Sequence, residues 1–309
     1  MEDDDRTASL MTPARLAQLQ ERPKQAASPA AWLDQLATDA GSGHVRRLLD
    51  LRKTLEAQVR ERGYAGVRQA LEALEVQVSQ LDFSLLERKG WLARATGKGK
   101  QEAAGFVAQA GRIQRAGEDL QDEAKALAKR LQAQAGAGDR VLLEFDVETK
   151  AIEKIVEQGA RWLQDMRNQL KVREAAGGDA AALKAMQEDS ARCELLVGRL
   201  KVLRGATSAA HQAAERCRAA GDDRAALLER LQQLLQDECT AWQQAAGPIT
   251  EAARAGGVAG ADVEAAQRAG VDLQSALRQA VEDCDQLASC EEALAGEIAA
   301  VQEPLQAAA

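Results

Sequence analysis

The sequence predicts an all-α fold, an elongated bundle of long antiparallel amphipathic helices, and three features lead to it. Ala, Leu, Gln, Glu and Arg dominate, whereas aromatic residues make up 3% of the chain and prolines number 5 in 309 residues. The abundant types give up least freedom on entering a helix, and the β-branched and aromatic types that favour strands are thin. Apolar residues recur at three- and four-residue intervals, the period of a helix buried along one side. Glycine-rich junctions return at roughly 35- to 45-residue spacing, which marks breaks between rods. At 1.5 Å per residue such rods are about 50 to 60 Å long, and short connections lay neighbours side by side in opposite directions.

Residues 1–43 read as an acidic, partly flexible arm with short helices. The arm opens on Met1-Glu2-Asp3-Asp4-Asp5 and carries Pro13 and Pro23. Ser28-Pro29 offers a cap and a first helical residue for a short helix through Trp32, Leu33 and Leu36, which Gly41-Ser42-Gly43 stops. Residues 44–100 read as a helical segment striped by Leu48, Leu51, Leu55 and Val59, then Leu71, Leu74, Val78, Leu81 and Leu85. Gly63 and Gly66, on either side of Tyr64, bend or divide it. It ends in the basic, Trp-containing loop Arg88–Lys100, which holds Gly90, Gly97, Gly99 and no acidic residue.

Residues 101–303 read as the long-helix bundle. A first helix over 101–135 carries Phe106, Ile113, Leu120, Leu127 and Leu131, and Gly136-Ala137-Gly138-Asp139 closes it. A second, over 140–175, sets Phe145, Ile152, Ile155, Trp162, Met166 and Leu170 on one face before Gly177-Gly178-Asp179. A third, over 180–219, runs through Leu183, Met186, Cys193, Val197, Leu200 and Leu203 to a break at Gly221-Asp222-Asp223. A fourth carries Leu228, Leu231, Leu235, Cys239 and Trp242; Pro248 should kink or terminate it, since proline lacks the donor and crowds the preceding turn. After Gly256–Gly260 a last helix runs from Val263 through Ile298 to Pro304.

The net charge of −8 argues against extensive nucleic-acid binding, which needs concentrated cations to displace counterions from phosphates. The charge is partitioned, however: residues 44–100 hold 12 Lys/Arg against 7 Asp/Glu. Five cysteines, an odd number, and an acidic start where a secretory signal would be basic then apolar, point to reduced thiols and a cytoplasmic chain, with a peripheral place at the inner membrane face as the variant reading. No apolar run reaches the length a membrane-crossing helix needs.

No catalytic, cofactor or metal site is expected. His44 and His211 are the only histidines and belong to no zinc-ligand spacing, and the cysteines read as small buried apolar residues. Gly97-Lys98-Gly99-Lys100 lacks the order of a phosphate loop and has no strand before it. Glu144 and Glu148, like Glu153 and Glu157, lie one turn apart, as acids on solvated helix faces commonly do. Two candidate surfaces remain. Arg88, Lys89, Trp91, Arg94, Lys98 and Lys100 combine cations with an amphipathic anchor and suit an anionic surface, or else form a plain solvated loop. Trp162 and Trp242 are packing residues or anchors for a partner helix.

The leucine-rich stretch Leu228-Leu231-Leu234-Leu235 leads to Trp242-Gln243-Gln244, and Leu120 to Leu170 has a hairpin layout before it. In this order of features the chain resembles the TelA-like toxic-anion-resistance family, linked to tellurite resistance, over about residues 80–300. The segment Glu238-Cys239-Thr240-Ala241-Trp242-Gln243 has no proline between its threonine and tryptophan, and so departs from the family's pattern. The resemblance implies an accessory role in bacterial stress.

The leading functional expectation is a non-enzymatic helical scaffold or adaptor that works through a protein partner or self-association. The second is a peripheral membrane protein that binds anionic lipid through residues 88–100. The third is an enzyme whose polar groups converge from separate helices.

Overall fold

A computed structural model describes residues 39–86, 98–255 and 263–309. It is all-α, with long helices packed in a bundle and no strand among the described residues. Helix α1 spans Ser42–Arg60 and α2 Ala65–Ser79, followed by a 3₁₀ turn at Phe83–Leu86. Helix α3 spans Lys98–Ala176 and α4 Ala180–Gln233; a π-helical turn at Leu234–Glu238 carries α4 without a break into α5, Cys239–Arg254. Helix α6 spans Val263–Ala300 and α7 Gln302–Ala307. The short helix expected around Trp32 lies outside the described residues.

Two expected breaks are absent. Helix α3 is one helix of 79 residues that runs through Gly136-Ala137-Gly138-Asp139, and α4, 54 residues long, runs through Gly221-Asp222-Asp223. A glycine costs a helix only about 1 kcal/mol relative to alanine, so isolated glycines are outweighed when the flanking turns pack. Phe145 and Leu131, on either side of the first junction, are both buried, as are Cys217 and Leu227 around the second. Gly177-Gly178-Asp179 does turn the chain. Gly177 has φ +69°, a conformation open to glycine, and a Cβ on Gly178 would come within 2.7 Å of the Ala182 Cβ. Asp179 then caps α4, its Oδ1 accepting from the Ala182 N–H at 2.9 Å.

Pro248 does not terminate its helix, which continues to Arg254. Ala246, Ile249 and Ala253 are buried around it, and this packing offsets the lost backbone bond. The Thr240 hydroxyl donates to the Leu235 carbonyl five residues earlier, following the wider π register. Pro304 sits in the first turn of α7, where a missing donor costs nothing.

The chain divides into two compact units. Of the described residues, the first comprises 39–49, 147–210 and 303–309. Its interior draws on Val45 and Leu48 of α1, Ile152, Val156 and Met166 of α3, and Cys193, Leu196, Leu200 and Leu203 of α4. A Cβ on Gly159 would come within 2.9 Å of Leu200, so α3 and α4 approach closely there. Gly41, at φ +77°, turns the chain into α1, and the Ala40 carbonyl accepts from Arg199 Nη2 at 2.9 Å.

The second unit comprises the described residues 50–86, 98–146, 211–255 and 263–302. Val67, Leu71, Leu74 and Val78 of α2 join Ile113, Leu120 and Leu127 of α3, Leu227 and Leu231 of α4, Trp242 of α5, and Leu273 and Leu277 of α6 in one apolar cluster. A smaller cluster centres on Phe106, Ile249 and Ala266. Phe83 packs on Phe106 with ring centroids 5.6 Å apart. Helix α6 is also tied laterally, by Arg68 to Asp285 at 2.6 Å, Arg278 to Glu75 at 2.7 Å, Arg216 to Glu297 at 3.3 Å, and Arg230 to Asp283. The arginine of each pair is exposed, and pairs open to water on at least one side each add about 0 to 1 kcal/mol and mainly set which helix faces which.

Candidate functional site

Of the candidate surface residues, Arg88, Lys89, Trp91 and Arg94 lie outside the described residues. Lys98 and Lys100 are in the first turn of α3, so the helix starts inside the basic segment that was expected to be a connection throughout. Trp242 is buried, 4% exposed, in the apolar cluster of the second unit; its indole N–H has no acceptor among the described residues. Trp162 is half-buried in the first unit.

Four cysteines are buried as expected, and Cys290 is exposed. Burial pushes the thiols of Cys217, Cys239 and Cys284 each up to about 11. They are neutral at ordinary pH and poor nucleophiles. His44 Nδ1 lies 2.6 Å from Glu148 Oε2, so Glu148 is a buried partner of a histidine rather than one of two solvated acids. Among the described residues no group of three or more His, Cys, Asp or Glu is arranged to hold a metal ion. No helix of the described residues is long and apolar enough to cross a membrane.

The densest polar arrangement lies inside the second unit and consists of Arg62, Tyr64, Arg224 and Glu291. Helix α6 shows how the sequence builds it. Leu273, Leu277, Ala280, Cys284, Leu287, Glu291, Leu294 and Ile298 alternate steps of four and three residues, and all are buried. That spacing is the a/d seam of a heptad, and Glu291 is the one charged residue on it. The seam of α4 steps in the same way through Cys217, Ala220, Arg224, Leu227 and Leu231, with Arg224 as its charged member. The stripe of α1, through Leu55 and Val59, reaches Arg62 three residues later, just past the helix end.

Glu291 is the hub. It accepts from Arg62 Nη1 at 3.0 Å and from the Tyr64 hydroxyl at 3.3 Å, and Arg224 Nε lies 2.8 Å from its Oε1. The side chains of Arg62, Arg224 and Glu291 are 7%, 12% and 4% exposed. Arg224 Nε also donates to the Ala220 carbonyl at 2.7 Å, which fixes the guanidinium on its own helix. Burial, with the Glu291 carboxylate next in weight, drives the Tyr64 hydroxyl well above the ordinary tyrosine range, so it remains a donor. Burial and then the like charge of Arg62 hold the Arg224 guanidinium below its usual range. A groove of about 500 Å³ opens beside this network, bordered by Arg60, Arg62, Tyr64, Arg68, Asp285 and Glu291.

None of these four residues follows from the apolar stripes of the sequence, since each is polar. The available signal was the reverse one, a charge standing at a position where the heptad calls for an apolar side chain. Buried charge at such a position is paired or costly, so three of them on neighbouring seams imply one another.

Comparison with protein-family models, with curated proteins and with solved structures returned no match. The class the fold and site define is that of an all-α bundle with a buried charge network in its seam.

Proposed function

We propose that the chain is a non-enzymatic helical scaffold that engages a protein partner, or a second copy of itself, through the end of the α3–α4 hairpin in its first unit. One observation carries this reading. Over residues 171–185 every side chain is exposed, although Lys171–Ala176 and Ala180–Ala185 are helical. Helices in proteins owe most of their stability to packing of an apolar face, and here that face has none within the described residues. Val172 is 70% exposed and Leu183 50%, and Leu195 further along α4 is 66% exposed. The stripe expected to begin at Leu183 instead begins its burial at Cys193. From the toxic-anion-resistance likeness around Leu228–Gln243 we further propose a setting in bacterial stress tolerance; its support is the sequence alone.

The test is the double variant Val172→Glu, Leu183→Glu. The isolated variant should keep wild-type helicity and melting temperature. Wild-type chain should sediment as a complex, with itself or with a partner that copurifies repeatedly, and the variant should sediment as a free monomer. A wild-type chain that is monomeric and recovers the same proteins as the variant would overturn the proposal.

A further inference from the structure

We propose that α4 pairs, antiparallel, with α4 of a second copy of this chain along its outer face from Ala191 to Gly205. The inference rests on the reading above, that the first unit engages a partner, and it names that partner.

The outer faces of the two hairpin helices differ in kind. On α3 every exposed residue from 150 to 171 is polar. On α4 the apolar and glycine residues exposed between 186 and 210 are Ala191, Leu195, Gly198, Val202 and Gly205. They follow at steps of four, three, four and three, which makes them the a/d seam of a second heptad on a helix whose first seam, through Cys193, Leu196, Leu200 and Leu203, is already buried. Leu195 is 66% exposed and Val202 36%, and a Cβ built on Gly198 or Gly205 would meet nothing within 4 Å. The seam has room for a helix at close range, and no described residue covers it.

Size and charge select a copy of the same helix. In the antiparallel register that sets residue 195 of one chain level with residue 198 of the other, Leu195 lies over the partner's Gly198 and Val202 over the partner's Ala191. Each large side chain then meets a small one, twice by symmetry. Glu194 and Lys201, both exposed, flank the seam on one edge, and this register brings each Glu194 beside the partner's Lys201. Within its own chain Glu194 lies 3.5 Å from Arg167, a pair more than half exposed on both sides, so the carboxylate stays open to a second cation. On the other edge Arg192 pairs with Asp189 at 3.2 Å and Arg199 donates to the Ala40 carbonyl, so both cations there are already engaged. A parallel pair would set Glu194 beside that engaged Arg199 and Lys201 beside the uncharged Ala206.

Full-length chain carrying Cys290→Ser, which removes the exposed thiol, is the background for the test. A disulfide needs Cα atoms within about 7 Å. In the proposed register Ala191→Cys meets Val202→Cys across the pair, whereas two copies of either variant hold their cysteines ~16 Å apart along the axis. Mixing the two variants under mild oxidation should give a disulfide dimer that neither forms alone; a parallel pair would cross-link each variant with itself. In sedimentation, Glu194→Lys or Lys201→Glu should raise the dimer dissociation constant about tenfold, and the double reversal should restore it. A wild-type chain that stays monomeric overturns the proposal and leaves the face to an unrelated protein or to residues 1–38 of the same chain. Self-cross-linking, or a double reversal that binds no tighter than the single ones, overturns it as well. If no mixed disulfide forms while Val172→Glu, Leu183→Glu still abolishes assembly, this pairing falls and the hairpin reading stands. A mixed disulfide that forms although that double variant assembles as wild type does would keep this pairing and move the contact off the hairpin end.

Discussion

The hairpin end at residues 171–185 and the α6 seam at 273–298 draw on the same alanine-rich, charged helical composition, yet they are held by different forces. At the hairpin end no side chain is buried, and the turn rests on the positive φ of Gly177 and the cap from Asp179. Along α6 a side chain is buried every three or four residues, and one of them is a carboxylate that accepts from Arg62 and Tyr64 and pairs with Arg224. Local chemistry is enough to reverse the chain in the first region. In the second, stability depends on partners distant in sequence, so the two regions should respond to mutation on different scales.

The sharpest break of that comparison is Glu291→Ala. It leaves two buried guanidinium groups without their carboxylate, and urea unfolding should register a loss of about 3 to 5 kcal/mol. Leu277→Ala, at a fully buried position, should cost about 2 to 5 kcal/mol. Leu183→Ala, half exposed at the hairpin end, should stay within about 0.5 kcal/mol of wild type in the same measurement. Equal losses for the two leucines would refute the division.

Alkaline melting separates the regions as well, since no cysteine lies in residues 171–185. The thiols of Cys217, Cys239 and Cys284 titrate at about 11 in the folded chain, against an ordinary 9.0. The unfolded chain therefore gives up these protons first as pH rises. The stability that comes from keeping them neutral is whole below about pH 9 and is lost as pH climbs through 11. Thermal melts over that interval should fall more steeply for wild type than for the triple Cys→Ala variant.

Smaller effects sharpen the same picture. Asp179→Ala removes a helix cap and should cost about 1 kcal/mol. Hydrogen exchange should quicken in the first turns of α4 while the α6 seam is unaffected. Gly136→Ala should be neutral or stabilise by up to about 1 kcal/mol, because nothing lies within 4 Å of a Cβ built there and the backbone is helical. A destabilising result would mean that the glycine serves a turn after all.

The three glycine-and-aspartate junctions show how far the residues alone could be read. Gly177-Gly178-Asp179 places two glycines together before a capping aspartate, and it turns. Gly136-Ala137-Gly138-Asp139 and Gly221-Asp222-Asp223 share the composition but not the adjacent glycine pair, and helices run through both. Each glycine there costs less than the packing of the next turns returns. The buried network was hidden for a related reason. Arg62, Arg224 and Glu291 stand far apart in sequence, and each by itself reads as one more charge on a helix surface.

The residues alone determined that this chain is helical and where its apolar stripes run, because helix propensity and a period near 3.6 are properties of short stretches. They also determined the Gly177–Asp179 reversal, which is local backbone chemistry. Only the tertiary structure decided which glycines stay inside a helix, which face of α4 is left open near Leu183, and which two cations meet at Glu291. Those outcomes depend on burial, and burial is fixed by what distant segments bring to the same place.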